Sequence, residues 1–130
     1  MIRSSSVNIS NKDSAISFLR LVVSGQVREA YSTYVANNFR HHNMSFAGDM
    51  ESLEKAMDES NAMFPHRTID MKRALEDGDM VAVHSHVRLK PGEPGFATVH
   101  LFRFDGDHIV EMWDIVQPVP EESPNKNGMF

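Results

Sequence analysis

The stretch Asp107–Gln117, DHIVEMWDIVQ, constrains the fold most, because it has the pattern of a β-strand with a carboxylate at its centre. Side chains alternate between the two faces of a strand, so Asp114 shares one face with Val110, Met112 and Val116. A buried carboxylate needs hydrogen-bond donors, a cation or a raised pKa, and an acid/base catalyst needs the same surroundings. Asp114 is therefore a candidate catalytic residue.

A purely structural role for Asp114 is the alternative. The carboxylate could pair with Arg88 or Arg103, or lie at a sheet edge that faces water. The spacing of residues in the strand leaves both interpretations open.

Composition limits the classes of protein to consider. With 130 residues, 41% of them hydrophobic, the chain fits one domain spanning 1–130, with extended or mobile tails at 1–9 and 121–130. The net charge of −5, without basic clusters, argues against nucleic acid or a membrane as a partner. The absence of cysteine excludes disulfides and a thiolate nucleophile. No signal peptide or membrane span is visible, so we expect a soluble cytoplasmic protein.

Three helices are predicted in the first half of the chain. Ser10, Asn11 or Asp13 can cap the first helix, which ends near Gly25, and Asp49 can cap the third. Their apolar spacing gives helices up to Gly25, from about Val27 to Val35 and from about Met50 to Met63. The segment 36–48 loses this periodicity and is predicted to be a loop packed by Phe39, Met44 and Phe46.

The second half has the pattern of an antiparallel meander. Strands are expected around 71–75, in MVAVHSHVRL, in Phe96–Phe104 and in the Asp114 stretch. Asp77-Gly78 is a hairpin signal, and KPGEPG at 90–95 is a loop by composition. Three helices followed by three or four antiparallel strands indicate an α+β fold in which a curved sheet wraps the helices.

The turn Asp105-Gly106-Asp107 determines which side chains join Asp114. A three-residue loop, which Gly106 favours, places Thr98 opposite Asp114 and makes His100 a diagonal neighbour on the same face. A two-residue loop would place His100 and Asp114 on opposite faces. We predict the three-residue loop.

Seven histidines are many for 130 residues, and two of them, His84 and His86, lie on one face of a strand. A metal site is one interpretation, with Asp114 or His100 as the third ligand. The alternative is that His84 and His86 face solvent or a subunit interface.

A histidine and an aspartate in an apolar pocket suit acid/base chemistry without metal. The two groups differ in protonation state, so together they can abstract a proton next to a carbonyl and stabilise the enolate. No Ser/His/Asp triad, phosphate-binding glycine loop or zinc signature is present.

The C-terminal sequence FRFDGDHIVEMWDIVQPVP resembles the final hairpin of the SnoaL-like branch of the NTF2-like superfamily, which includes polyketide cyclases. The resemblance covers nearly the whole chain. VAVHSHV and the terminal NGMF resemble a bacterial subgroup of predicted aldol-condensation enzymes. The fold implied is an NTF2-like cone, with N-terminal helices on the concave face of a strongly curved antiparallel sheet.

The resemblance also implies residue roles. Asp114 matches the general acid/base of the polyketide cyclases, and His100 matches the histidine that assists it. Tyr34 with His42 and Asn43 would close the pocket mouth, although the subgroup continues with proline where this chain has Met44. The resemblance implies a homodimer through the outer sheet face. The full set of predicted substrate-binding residues is Tyr34, His42, Asn43, His84, His86, Thr98, Phe102 and Met112.

Two functions therefore remain. The first is a metal-independent lyase, cyclase or isomerase that acts on a small carbonyl compound without a cofactor, with Asp114 and His100 as catalytic residues. The second is a non-catalytic module that binds a small ligand. A histidine-rich metal-dependent enzyme is a further alternative.

Overall fold

The computed structural model describes residues 9–130, which form three helices and five strands. The predicted tail over residues 1–8 lies outside the described residues. No helix in the described part of the chain has the length and apolar content to cross a membrane. The elements in chain order are α1 (Asn11–Val23), α2 (Val27–Tyr34), β1 (Val35–His41), α3 (Met50–Met63), β2 (Thr68–Asp77), β3 (Met80–Arg88), β4 (Phe96–Asp105) and β5 (His108–Pro118).

The five strands form one sheet in the order β1-β5-β4-β3-β2. The pairs β5-β4, β4-β3 and β3-β2 are antiparallel, whereas β1 is parallel to β5. The helices pack on one face of this sheet, which we call the inner face; the opposite face is the outer face. The α+β prediction is confirmed, and the all-antiparallel sheet is corrected to a mixed one.

The main error in the predicted elements is β1 (Val35–His41), because residues 36–48 are predicted to be a loop and Val35 to end the second helix. Val35, Phe39 and His41 are buried, while the residues between them are half-buried or exposed. Two asparagines and an arginine occupy these exposed positions, so the stretch lacks the β-branched composition of the other strands. Its pairing with β5 is therefore long-range structure that local sequence does not signal.

The helix ends follow the expected capping chemistry. Ser10 caps α1, since its Oγ accepts a hydrogen bond from the Asp13 N–H at 3.1 Å. Asp49 caps α3 in the same way, with its Oδ2 2.9 Å from the Ser52 nitrogen. The predicted span of α3 is confirmed.

The β4-β5 hairpin differs from the predicted one. Asp105 pairs with His108, so the turn contains only Gly106 and Asp107, and Gly106 takes a φ of 61°. The predicted three-residue loop is wrong. A β-bulge follows, because Phe104 pairs with Ile109 whereas Arg103 pairs with Glu111. The extra residue, Val110, restores the shared face of His100 and Asp114.

The core lies between the helices and the inner face. Phe18 of α1 contacts Tyr31 and Phe102 edge to face, with ring centroids 5.3 and 5.9 Å apart. These contacts fix α1 and α2 against the centre of β4. The other buried apolar residues of this core include Leu19, Val22, Val27, Leu53, Val81, Val83, Phe104, Ile109 and Met112.

The predicted loop at 90–95 is present between β3 and β4, and its last residue must be glycine. Gly95 has a φ of +75°, a value that L side chains rarely adopt. A Cβ at this position would also overlap the carbonyl oxygen of Val87. Gly92 in the same loop has a φ of +83° but open space around it.

Substitution of Gly92 and Gly95 distinguishes the energetic cost of backbone strain from that of steric overlap. Gly92→Ala should cost roughly 1–2 kcal/mol through its left-handed backbone alone. Gly95→Ala should cost a further ~1–3 kcal/mol because a backbone atom must move. Urea unfolding of both variants measures the difference, and equal losses would contradict this account.

Candidate functional site

His100 and Asp114 are directly paired across β4 and β5 on the inner face. Asp114 is half-buried, and the Nδ1 atom of His100 is buried. The predicted shared face is confirmed, but the two residues are direct partners and not diagonal neighbours. Direct opposition in a strand pair brings Cβ atoms to within about 5.5 Å, so the two side chains can act on one group.

Three more predicted residues share the inner face with this pair. Phe102 and Met112 form the next cross-strand pair toward the core, and both are buried. Thr98 is buried on the other side of His100, opposite Val116 and not opposite Asp114 as predicted. The His100 ring stacks on Phe102 with centroids 6.1 Å apart. The pair of His100 and Asp114 therefore borders the apolar core on one side.

Asn43 completes the group from the loop after β1. Its Nδ2 donates a hydrogen bond to Asp114 Oδ2 at 2.8 Å, and its Oδ1 accepts one from the Ser45 N–H at 2.9 Å. The second bond fixes which end of the amide faces the carboxylate. The sequence predicts Asn43 at the pocket mouth, and the structure places its amide beside Asp114.

His41 is a site residue that the sequence reasoning missed. Its ring is buried, Nδ1 accepts a hydrogen bond from the Asn43 N–H at 3.1 Å, and Nε2 donates to the Ala47 carbonyl at 2.6 Å. This pattern corresponds to a neutral imidazole with its proton on Nε2. His41 thus holds both ends of the loop that carries Asn43.

Tyr31 is the second missed residue. It is buried, and burial raises the pKa of its hydroxyl, with further increases from Glu54, Asp114 and Asp58. The phenol therefore stays protonated near Asp114. Tyr34, the predicted tyrosine, is half-buried at the end of α2 and packs against the core. The one-turn spacing of the two tyrosines was the available signal, since α2 buries only one face.

His100 is neutral at neutral pH. Burial lowers the pKa of its imidazole, and the nearby Asp114 carboxylate opposes this shift only in part. A neutral imidazole can donate from one ring nitrogen and accept at the other. This is the protonation state that an acid/base relay with a carboxylate requires.

His42 lies on the outer face, so its predicted role at the pocket mouth is wrong. Its Nε2 donates to Glu111 Oε2 at 2.6 Å, and its ring stacks on Trp113 with centroids 4.9 Å apart. The reason is strand parity: His41 faces inward, so the next residue faces outward.

Glu111 is the centre of an ion cluster on the outer face. Its carboxylate accepts hydrogen bonds from Arg40 Nε and Arg103 Nε, both at 3.0 Å, besides the bond from His42. The bond from His42 makes the largest contribution to lowering the pKa of Glu111 to about 2, and the two arginines lower it further. Arg103, considered as a partner for Asp114, therefore pairs with Glu111.

His84 and His86 also lie on the outer face, away from Asp114 and His100. His86 Nε2 donates to the Pro94 carbonyl at 2.6 Å, and Nδ1 of His84 accepts from Arg73. Both rings contact Phe130, with centroids 4.5 Å away for His86 and 5.6 Å for His84. Their predicted place in the pocket, and the metal site shared with Asp114 or His100, are wrong. Within residues 9–130 no group of three or more His, Cys, Asp or Glu side chains could hold a metal ion.

Two solvent-open hollows lie elsewhere. One, of about 880 Å³, is lined by residues of the C-terminal stretch 119–129. The other, of about 680 Å³, lies between the 88–94 loop and Pro120-Glu121. Neither includes an inner-face side chain, so we assign the site from the converging polar groups around Asp114.

The family model described as the SnoaL-like domain matches residues 15–112, which is most of the chain and ends just before Asp114. No curated protein matches the chain.

Solved structures match over nearly the whole domain. A SnoaL-like polyketide cyclase from Agrobacterium tumefaciens has 13% identity over 85% of this chain and 93% of its own, with a TM-score of 0.70. IdmH from Streptomyces antibioticus, a proposed polyketide cyclase, has 18% identity over 84% and 93%, with a TM-score of 0.70. An NTF2-like protein of unknown function from Cytophaga hutchinsonii has 15% identity over 86% and 94%, with a TM-score of 0.69. These similarities establish the NTF2-like fold.

The Glu111 cluster predicts a pH dependence of stability. The folded-state pKa of about 2 lies below the ordinary glutamate value, so the stabilisation is present above roughly pH 4.3 and is lost as the pH falls toward 2. Glu111→Gln should lower the free energy of unfolding at pH 7, and this loss should vanish toward pH 2.

Urea unfolding between pH 2 and 7 measures this effect, with the exposed loop residue Glu93 changed to Gln as the control. A loss in Glu111→Gln that stays constant across this range would contradict the role of the ionised carboxylate.

Proposed function

Because the chain belongs to the SnoaL-like family, we propose that it is a metal-independent acid/base enzyme of the polyketide-cyclase or aldol-condensation type. Its substrate would be a small carbonyl compound held between the helices and the inner face. One observation carries the proposal: the neutral His100 imidazole lies directly opposite the Asp114 carboxylate, beside an apolar core. The polyketide cyclases among the similar structures add support for this reaction class.

Asp114 would act as the general base. The carbon–hydrogen bond next to the substrate carbonyl breaks, the proton moves to Asp114 Oδ1, and the electron pair forms an enolate. Asn43 already donates to Oδ2, so the other oxygen is the one assigned to receive the proton. His100 would donate a hydrogen bond to the enolate oxygen and so stabilise the developing charge.

The same two groups, Asp114 and His100, would also support formation of the carbon–carbon bond. The enolate carbon attacks a second carbonyl carbon, and the oxygen of that carbonyl takes back the proton held by Asp114. Asp114 returns to its carboxylate form, so the cycle needs no oxidant, reductant or metal ion. The reverse sequence would give lyase activity.

Asn43 and His41 would position the base and not touch the reacting atoms. Asn43 holds Asp114 through one hydrogen bond, and His41 holds the backbone of Asn43 through another. A carboxylate with one fixed oxygen presents the other in a defined direction. This arrangement reduces the freedom lost when substrate binds.

Substitution of Asp114 tests the reaction. The wild-type protein should accelerate the exchange of α-protons for deuterium in a small ketone such as acetophenone, followed by proton NMR in D₂O. Asp114→Asn should reduce the exchange rate by about 10²–10⁴-fold, the usual contribution of a general base. Asp70→Asn, which changes an exposed aspartate on β2, should leave the rate unchanged.

The same measurement separates an enzyme from a binding module. Saturable acetophenone binding without any exchange above background in the wild-type protein would contradict catalysis and favour the non-catalytic alternative. Equal exchange rates in the wild type and Asp114→Asn would show that another group is the base.

A homodimer through the outer face is the proposed assembly. Ile115 is 57% exposed on β5, and it neighbours the half-buried apolar residues Val99, Leu101 and Trp113 of the same face. A contiguous apolar surface of this kind typically marks a protein interface. The SnoaL-like family resemblance supports the two-fold arrangement.

Charge placed on this face tests the assembly. Ile115→Lys should convert the dimer to monomers, because a two-fold interface would bring two ammonium groups into one apolar surface. Met63→Lys, at an exposed methionine at the end of α3, should leave the dimer intact. Sedimentation velocity gives the masses, and a monomeric wild-type protein or a dimeric Ile115→Lys would contradict the proposal.

A further inference from the structure

Ser85 lies on the inner face with no partner for its hydroxyl. It is 0% exposed at the centre of β3, and its Oγ atom has no hydrogen bond. The neighbouring Thr98 donates to the Ser85 carbonyl at 3.5 Å and leaves Oγ unpaired. Buried hydroxyl groups are normally hydrogen-bonded, so an unpaired one in the interior calls for a specific explanation.

His100 provides a second unpaired atom on the same face. Its Nδ1 is buried and has no hydrogen-bond partner. Ser85 pairs with Thr98, whereas His100 pairs with Val83, so Ser85 and His100 are diagonal neighbours across β3 and β4. Diagonal neighbours lie about 7–8 Å apart at Cα, within the reach of one bridging oxygen.

The surroundings favour an uncharged oxygen. Val83 and Phe102, which flank the two polar groups, are fully buried apolar residues. The Asp114 carboxylate lies directly opposite His100, so it would repel a second negative charge beside it. The cations Arg40 and Arg103 pair with Glu111 on the outer face, where they cannot compensate an anion in the interior.

We propose that Ser85 and His100 form an oxygen subsite that binds an uncharged carbonyl or hydroxyl oxygen of the ligand. The subsite deepens the proposed function and rests on it, since it assumes that the ligand lies on the inner face beside Asp114. Ser85 is then a binding residue that selects for oxygen at this position. A carboxylate or phosphate group is disfavoured there, because Val83 and Phe102 are apolar and the Asp114 carboxylate lies opposite His100.

The hydrogen-bonding roles follow from the two side chains. Ser85 Oγ–H donates to either kind of oxygen. A carbonyl oxygen also accepts from His100 when the ring proton is on Nδ1, and a hydroxyl can instead donate to Nδ1 when the proton is on Nε2. In either case both buried atoms gain a partner.

Binding of three matched probes tests the subsite. Acetophenone carries a carbonyl oxygen, cumene has nearly the same shape without oxygen, and benzoate carries a charged carboxylate. Titrations of ¹⁵N-labelled protein should show acetophenone binding about fivefold or more tighter than cumene, the effect of one hydrogen bond. Benzoate should bind more weakly than either neutral probe.

Substitution of Ser85 identifies the residue responsible. Ser85→Ala should remove most of the preference for acetophenone over cumene and leave cumene binding unchanged. Ser14→Ala is the matched control, because Ser14 is also a buried serine but lies near the start of α1. That end of α1 contacts the far end of β2, where the Lys12 N–H donates to Glu76 Oε1. Ser85→Cys, which keeps a weak donor, should give an intermediate preference if the hydroxyl acts through hydrogen bonding.

The imidazole ¹⁵N signals of His100 provide a direct readout. Acetophenone should shift the Nδ1 resonance in the wild type, and cumene should not. An unchanged oxygen preference in Ser85→Ala would overturn the proposal. A crystal structure with acetophenone present that shows only a retained water bound to Ser85 Oγ and His100 Nδ1 would also overturn it.

Failure of the subsite and failure of the proposed enzyme are distinguishable. Asp114→Asn should slow α-proton exchange by the same factor of about 10²–10⁴ and retain the oxygen preference, because Asp114 is not part of the subsite. An oxygen preference without exchange in the wild-type protein would contradict the proposed enzyme and support a non-catalytic binding module that contains this subsite. Exchange without an oxygen preference would support the proposed enzyme and contradict the proposed binding role of Ser85.

Discussion

The bulge at Val110 is the constraint on which the site depends. The two-residue turn pairs Asp105 with His108, and an unbroken ladder from that pair would place Trp113 opposite His100. Asp114 would then face outward, and Glu111 would be directed into the core beside Phe102. One extra residue in β5 reverses both orientations, because side chains alternate with a period of two. The bulge thus directs the Asp114 carboxylate to the inner face and the Glu111 carboxylate to the outer face of the sheet.

The two carboxylates of β5 have different chemistry because their partners differ. Glu111 is surrounded by two arginines and His42, which hold it ionised and fix β1, β4 and β5 to one another. Asp114 has neutral neighbours, namely the Asn43 amide and the uncharged His100 ring. A carboxylate held by several cations is stabilised in its charged form, so it is a poor proton acceptor. The different partners of the two carboxylates therefore give Glu111 a structural role and leave Asp114 for the proposed catalytic role.

Local chemistry in the sequence was enough to predict the three helices and the strands β2 to β5, but neither β1 nor the register of the strands. The caps Ser10 and Asp49, the span of α3 and the 90–95 loop all follow from residue types within a few positions. The shared face of His100 and Asp114 was predicted from a three-residue loop that the structure lacks, and the bulge supplies the same parity by another route. Ile109-Val110 gave no sign of a bulge, because two consecutive apolar residues also suit a strand buried on both faces. The family resemblance indicated His42 because this residue directly precedes Asn43. The structure gives the inner position to His41 because the parity of β1 is set by its pairing with β5, which no local pattern reveals.

Strand β1 contributes a histidine to each face of the sheet, and its pairing with β5 positions both of them. His41 and His42 are consecutive, yet the first holds the Asn43 loop over the inner face and the second joins the Glu111 cluster on the outer face. The His42 N–H donates to the Met112 carbonyl at 2.9 Å, so β5 fixes the point where the chain leaves the sheet toward Asn43. Asn43 in turn contacts Asp114, two residues beyond Met112 on the same strand. The hydrogen bond between Asn43 and Asp114 therefore depends on the pairing of β1 with β5, and the outer-face ion cluster stabilises that pairing. A site built in this way is positioned by strands that pair over long range, which explains how a loop residue can hold a carboxylate in a defined orientation.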